Sequence, residues 1–186
     1  MGGPLESRYI LFLTSMQDSR ELLVQEFAQN LFAGYIYSSI SHARSQAESI
    51  LGVSIRPGND LVKVVDEAME AAIVRTGQLL IADSDTTYRA YDRLVELLEQ
   101  QPNLSVRTST SILQQAYSTP IPIAYLAANL ADINSGTTVY EPTAGNGALL
   151  MNANPQLVVA NDWKQFSLAK ILVCMRTFFM IISRHY

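Results

Sequence analysis

Cysteine and histidine are scarce in this sequence of 186 residues. The one cysteine, Cys174, excludes an internal disulfide, which is typical of a protein in a reducing cytoplasm. Because Cys174 lies in an apolar stretch, we interpret it as a small buried side chain rather than a nucleophile. The two histidines, His42 and His185, are far apart in sequence and do not indicate a zinc site. We therefore predict a cytoplasmic protein without a metal centre.

Runs of like charge and long apolar runs are also lacking. Charged residues make up 16% of the chain, the formal net charge is -4 and the isoelectric point is about 5.1. A protein that grips DNA by itself usually has a basic face or tail, so this composition disfavours strong autonomous DNA binding. The apolar stretch at residues 166–183 contains Lys170 and Arg176, and a membrane span needs about 20 predominantly apolar residues. We therefore predict no membrane span.

Apolar residues make up 48% of the chain and recur at helical spacing through its first 110 residues. We predict one helix over residues 18–51, capped by Asp18 or Ser19, and two more that begin near Asp60 and at Thr87. The side chains predicted to face inward are Leu22, Leu23, Phe27, Leu31 and Phe32 on the first helix, Leu61, Val64, Val65, Ala68, Met69, Ala72, Ile73, Thr76 and Leu80 on the second, and Tyr88, Tyr91, Leu94, Val95 and Leu98 on the third.

The pattern changes after residue 110. Pro120 and Pro122 predict the start of a helix over residues 121–132, since proline is tolerated in a first helical turn. Short strands with β-branched residues are predicted over residues 137–140 and 157–160. This order predicts the beginning of an α/β sheet. The predicted fold class is α+α/β, with a helical region at residues 1–110 and a partial Rossmann-like unit at residues 111–186.

The turn between the two predicted strands carries the residues that indicate a ligand. It begins with Glu141 and Pro142, contains Gly145 and Gly147, and is predicted to open a new helix. Glycines let a backbone pass close to a ligand, and a helix N-terminus presents free N–H groups. Asp162 follows the second strand, where a carboxylate can accept hydrogen bonds from ribose hydroxyls. The pattern predicts a pocket for an adenosine-type cofactor.

Residues 141–149 read E-P-x-x-G-x-G-x-L, and Ser118 and Thr119 precede Pro120 in an upstream turn. Both features resemble the cofactor motifs of S-adenosylmethionine-dependent DNA adenine (N-6) methyltransferases, in which the upstream turn helps to hold the methionine end. Hydroxyl and N–H groups at a helix start suit a carboxylate, although they also suit an ordinary N-cap. The resemblance implies that S-adenosylmethionine is bound by Tyr117, Ser118, Thr119, Pro120, Glu141, Pro142, Gly145, Gly147 and Asp162.

The catalytic motif of that family, Asn/Asp/Ser-Pro-Pro-Tyr/Phe, is missing, because the chain has no Pro-Pro dipeptide. In the family this motif binds the target amine and stacks on the flipped base. We therefore expect a truncated DNA adenine methyltransferase that keeps part of the cofactor pocket, has no catalytic residues and is inactive alone, with DNA as the partner of the intact family. One alternative is a non-catalytic accessory subunit that completes a methyltransferase or helicase-associated complex with a second polypeptide. Another is a helical domain with a coincidental Gly-x-Gly.

Overall fold

The computed structural model of the chain describes residues 4–101 and 118–161, with side chains described from residue 18 onward. Within these ranges, no helix is long and apolar enough to cross a lipid bilayer. In chain order, the elements are α1 (Pro4–Phe32), α2 (Ile40–Leu51), α3 (Asp60–Ala82), α4 (Thr87–Gln100), α5 (Ile121–Leu130), β1 (Val139–Glu141) and β2 (Val158–Ala160), with short 3-10 helices at Ala148–Leu150 and Pro155–Leu157 between the strands.

The long helix α3 lies at the centre of the helical region, with α1, α2 and α4 packed against it. It begins after Asn59, whose side-chain oxygen accepts a hydrogen bond from the N–H of Leu61 at 3.0 Å. Every side chain predicted to face inward on this helix is buried except Leu61, which is half-buried. Buried Thr76 donates its hydroxyl to the carbonyl of Ala72 at 2.8 Å, so its polar group is satisfied. The predicted start and inward face of α3 are confirmed.

The continuous helix predicted over residues 18–51 is broken at residues 33–39. Gly34 ends α1 with a φ of +86°, a left-handed conformation that is common just after a helix. Ser39 then starts α2, because its hydroxyl accepts a hydrogen bond from the N–H of His42 at 3.1 Å. The first helix also begins well upstream of its predicted cap.

The predicted inward face of α4 is partly wrong. Its buried side chains are Ala90, Leu94 and Leu97, which follow the i, i+4, i+7 spacing of one helix face. Tyr88 is 76% exposed and Leu98 is 42% exposed, so the true face is rotated from the predicted one. On α1, the prediction is confirmed for Leu23, Phe27 and Leu31 and wrong for Leu22 and Phe32.

The sheet is smaller than the predicted unit. β1 and β2 are parallel, with Val139 opposite Val158, and the described residues contain no third strand. Gly145 and Gly147 have left-handed φ values, so the predicted helix does not start at Gly145, and the residues that follow form only a 3-10 helix. Parallel strands are usually joined by an α-helical crossover. The predicted α+α/β fold with a partial Rossmann-like methyltransferase unit is therefore wrong: the described part of the chain is 62% helix with one two-stranded parallel sheet.

One apolar core joins the helices to the segment that follows the glycine turn. Its buried side chains come from all five helices and also include Ala148 and Met151. A smaller cluster of Ala144, Leu150 and Ala153 lies between the turn and the inner face of the sheet. The predicted domain boundary after residue 110 lies outside the described residues.

Candidate functional site

The upstream part of the candidate site leads into α5. Pro120 is extended, with φ −55° and ψ 135°, and its carbonyl accepts a hydrogen bond from the N–H of Ala124 at 2.9 Å. Pro122 lies in the first turn, where its missing N–H costs no helical hydrogen bond. The helix therefore starts at Ile121, as predicted, and it ends at Leu130, before the predicted end.

The hydroxyl of Ser118 is directed at α3. Its Oγ atom donates to Oε2 of Glu70 at 3.2 Å. None of the described side chains caps the N-terminus of α5, so neither Ser118 nor Thr119 acts as an ordinary N-cap. Thr119 is half-buried, and Tyr117 lies outside the described residues. The explanation of this pair of hydroxyl residues as an ordinary N-cap is therefore wrong.

Glu141 is the last residue of β1 and lies opposite Ala160 at the end of β2. Its Oε1 atom accepts two hydrogen bonds from Thr143, one from the backbone N–H at 2.8 Å and one from the hydroxyl at 2.9 Å. A carboxylate has acceptor capacity on both oxygens. Within the described part of the chain, Thr143 occupies Oε1, so Oε2 is the oxygen that a ligand would meet.

Two glycines shape the turn that follows. Gly145 has a φ of +54° and Gly147 has a φ of +79°, values that residues with side chains adopt only at a cost. The N–H of Gly147 donates to the carbonyl of Ala144 at 2.7 Å, and the N–H of Ala144 donates to the carbonyl of Asn161 at 2.9 Å. The N–H of Asn161 donates in turn to the carbonyl of Glu141 at 2.8 Å. The backbone therefore ties the glycine turn to the end of β2.

The two parts of the candidate site belong to one packed unit. Helix α5 packs against the 3-10 helix Ala148–Leu150, which directly follows Gly147. The predicted site residues that the structure describes are Ser118, Thr119, Pro120, Glu141, Pro142, Gly145 and Gly147. Asp162, predicted to complete the site after β2, lies outside the described residues, as does Tyr117.

The segment that carries the turn has acidic but no basic side chains. Residues 118–161 contain Asp132 and Glu141 and no lysine, arginine or histidine. Phosphate groups are usually bound with the help of basic side chains, and a nearby carboxylate repels them. Hydroxyl groups and positively charged groups are attracted instead. The turn therefore suits a neutral or cationic ligand better than a nucleotide phosphate.

Sequence patterns do not predict the roles of Thr143 and Glu70. Thr143 has a local signal, since short polar side chains in turns often bond to groups two residues away. Glu70 has none, because it is separated from Ser118 by 48 residues and the contact depends on the tertiary fold.

His42 lies in a separate polar cluster at the α1–α2 turn. Its Nε2 atom is 2.9 Å from the hydroxyl oxygen of Tyr35, and its Nδ1 atom is 3.3 Å from Oγ of Ser38. The ring of Tyr35 also meets that of buried Tyr37 edge to face, with centroids 5.0 Å apart. We interpret His42 as a residue that holds this turn. Among the described residues, no three His, Cys, Asp or Glu side chains are grouped to hold a metal ion.

Comparison with protein-family models, with curated proteins and with solved structures finds no match to this chain. Its function is therefore inferred from the candidate site and from the resemblance of its two motifs.

Proposed function

We propose that this chain binds S-adenosylmethionine at the turn of residues 141–147 and serves DNA adenine methylation in the cytoplasm. The observation that carries the proposal is the position of Glu141 at the end of β1, directly before a turn with two left-handed glycines. The carboxylate can accept hydrogen bonds from hydroxyl or ammonium groups of a ligand. Exposed Gly145 allows that ligand to approach the backbone closely, whereas buried Gly147 shapes the turn.

The charge of the turn also supports this cofactor. S-adenosylmethionine carries a sulfonium and an ammonium group against one carboxylate, and it has no phosphate. Because residues 118–161 supply acidic but no basic side chains, the turn favours this ligand over a phosphate-bearing nucleotide. The upstream turn, packed through α5 against the segment after Gly147, offers the hydroxyl of Thr119 to the methionine end. The hydroxyl of Ser118 donates to Glu70, so its oxygen is left to accept a hydrogen bond from the ammonium group of the ligand.

Isothermal titration calorimetry of the full chain tests the cofactor proposal. We expect weak binding of S-adenosylmethionine, with a Kd of up to about 1 mM. Glu141→Gln should weaken it about tenfold, because a hydrogen bond to a charged group is worth about 1.5–3 kcal/mol. The glutamine keeps a carbonyl oxygen for Thr143, so the turn is retained. Glu99→Gln, an exposed change on α4, is the matched control.

The nucleotide ATP serves as a comparison ligand in the same titration. ATP should bind more weakly than S-adenosylmethionine if charge selects the ligand. Absence of heat from folded protein at millimolar S-adenosylmethionine, or equal losses in Glu141→Gln and Glu99→Gln, would count against the pocket.

We expect no methyl transfer by this chain alone, since its sequence has no Pro-Pro dipeptide to hold the adenine amine. Such transfer depends more on alignment of the amine than on a strong base, and alignment is what the missing motif provides. Incorporation of radiolabelled methyl groups into an adenine-rich duplex, compared with a Gly145→Trp control, checks this expectation. Incorporation above the control would overturn it.

A second candidate function is that of a non-catalytic accessory subunit. Tyr140 and Val159 lie opposite each other on the outer face of the sheet and are 67% and 61% exposed. Parallel sheets are usually covered on both faces, so this exposed apolar pair favours a partner. The partner would be a second polypeptide that supplies the Pro-Pro motif in a methyltransferase or helicase-associated complex. Methyl transfer that appears only when the two chains are mixed would support this function.

A further inference from the structure

One face of helix α3 contacts both halves of the candidate site, namely the upstream turn at residues 118–120 and the segment that follows the glycine turn. Near its middle, Oε2 of Glu70 accepts the hydrogen bond from Ser118 at the upstream turn. Further along, Gly77 lies beside the segment that follows the glycine turn. Residues i and i+7 lie two helical turns apart on the same face, so the two contact points are about 10 Å apart along the axis.

Gly77 is a point of close approach between elements. A Cβ atom at this position would lie 3.1 Å from Sδ of Met151 and 3.1 Å from Cδ2 of Leu94, with Cδ1 of Ile121 at 3.8 Å. The missing side chain therefore allows α4, α5 and Met151 to pack directly on the backbone of α3. An alanine here would require the side-chain ends of Leu94 and Met151 to shift by a few tenths of an ångström, and a larger residue would require more.

Met151 links this contact to the glycine turn. Its N–H donates to the carbonyl of Ala148 at 3.3 Å, and the N–H of Leu150 donates to the carbonyl of Gly147 at 3.0 Å. Ala148 and Met151 are buried in the helical core, whereas Leu150 is buried in the cluster against the sheet. The segment is held on both sides, and the close approach of Met151 to Gly77 is one of the contacts that fix its position.

We propose that Glu70 and Gly77 are positioning residues that set the separation between the two halves of the S-adenosylmethionine site. Glu70 holds the upstream turn through Ser118. Gly77 leaves room for Met151, which belongs to the segment that follows the glycine turn. The helical region is thus the frame of the site rather than a separate binding module. This inference rests on the proposed function.

The first test is Gly77→Ala in the full chain. The added methyl group presses on the side-chain ends of both Met151 and Leu94, so we expect the affinity for S-adenosylmethionine to fall a few-fold. The better helix propensity of alanine offsets the tighter packing, so the urea midpoint should change little. Amide hydrogen exchange at Gly147, Leu150 and Met151 should become faster, and this second readout needs no cofactor.

The matched control for this test is Ala72→Val. Ala72 is fully buried on α3. The hydroxyl of Thr76 donates both to the carbonyl of Ala72 and to the carbonyl of Ala28 on α1. The larger side chain should therefore disturb packing near α1 and lower the urea midpoint. Cofactor affinity and amide exchange in residues 147–151 should stay as in the unmodified chain.

A pair of variants tests Glu70. Glu70→Gln keeps an oxygen that can accept the hydroxyl of Ser118 and should retain the affinity for S-adenosylmethionine. Glu70→Ala removes the acceptor and should lower the affinity several-fold. Because the bond between the two side chains is exposed, both variants should fold, so this pair decides the question even if Gly77→Ala does not fold.

The outcomes separate this inference from the proposed function. If the unmodified chain does not bind S-adenosylmethionine, the proposed function fails, and faster exchange in Gly77→Ala alone still supports positioning of the turn. Equal changes in Gly77→Ala and Ala72→Val, or unchanged exchange at residues 147–151 in Gly77→Ala, would overturn the role of Gly77. Equal affinities of Glu70→Gln and Glu70→Ala would overturn that of Glu70.

Discussion

Gly145 adopts a φ of +54° in a turn where space is available. A Cβ atom added there would meet only the carbonyl oxygen of Thr143 at 3.9 Å, an ordinary contact distance. The demand for glycine is therefore a backbone demand, because the left-handed conformation costs a residue with a side chain about 1–2 kcal/mol. We predict that Gly145→Ala lowers the free energy of unfolding by about that amount, measured by urea denaturation.

Gly136 provides the matched control for this prediction. It also lies in a turn, its φ is not left-handed, and an added Cβ atom would lie 3.4 Å from Oδ1 of Asn134. Replacing glycine by alanine in a compatible conformation stabilises a protein by about 0.4–1 kcal/mol through the unfolded state. Gly136→Ala should therefore be neutral or stabilising. A loss equal to that of Gly145→Ala would show that backbone conformation is not the cause.

Tyr37 makes the stability of the fold depend on pH in the alkaline range. Burial raises the pKa of its hydroxyl, and the hydrogen bond from Asn30 opposes that effect only in part. The unfolded chain loses this proton near pH 10, whereas the folded chain keeps it to a higher pH. The contribution of Tyr37 to the free energy of unfolding is therefore fully present below pH 10. It declines as the pH rises through the higher folded pKa. Tyr37→Phe should flatten the decline of the urea midpoint above pH 10, and an unchanged slope would contradict this explanation.

At the scale of single elements, the start of α3 depends on one side chain. Asn59 accepts the N–H of Leu61, which otherwise has no partner within the helix. We predict that Asn59→Ala lowers the free energy of unfolding by about 1 kcal/mol, whereas Asn59→Asp, which keeps the acceptor oxygen, does not. Urea denaturation of both variants checks this, and equal losses would show that the cap has no such role.

Local start signals explain which helices the sequence predicts correctly. Pro120 marks the start of α5, and the structure shows Asn59 as the cap of α3, so both helices begin where predicted. The break after α1 is missed because the apolar spacing continues through Gly34, whose left-handed φ is a property of the folded turn. The rotated face of α4 is missed for a different reason, because the apolar pattern counts Tyr88 as inward although its side chain is exposed.

The candidate site likewise has a part that the sequence predicts and a part that it does not. Glu141 and the two glycines are contiguous in sequence, so their common turn is predictable, and the strands on either side lie within two residues of their predicted places. The crossover between those strands is not predicted by apolar spacing, because it forms two short 3-10 helices, Ala148–Leu150 and Pro155–Leu157, where an α-helix is expected. The contact between Glu70 and Ser118 spans 48 residues and depends on the tertiary fold.

In the molecule as a whole, the apolar core does not stop at the end of the four N-terminal helices. Ile121 and Tyr125 of α5 and Met151 after the glycine turn are buried in the same cluster as Met69 of α3 and Leu94 of α4. A continuous core couples the stability of its parts, because removing a side chain from one element loosens the packing of its neighbours. The helical region and the segment with the glycine turn are therefore expected to unfold together.

Ile121→Ala tests this coupling. Ile121 is 3% exposed, and truncating such a side chain costs about 2–5 kcal/mol. If the core is one cooperative unit, native-state amide exchange should lose protection across α3 and α4 as well as α5, and Met69→Ala should affect the same set of amides. Loss of protection confined to α5 and residues 139–161 would show that the chain folds as two independent units, divided near residue 110. In that case, Met69→Ala would leave the amides of α5 protected.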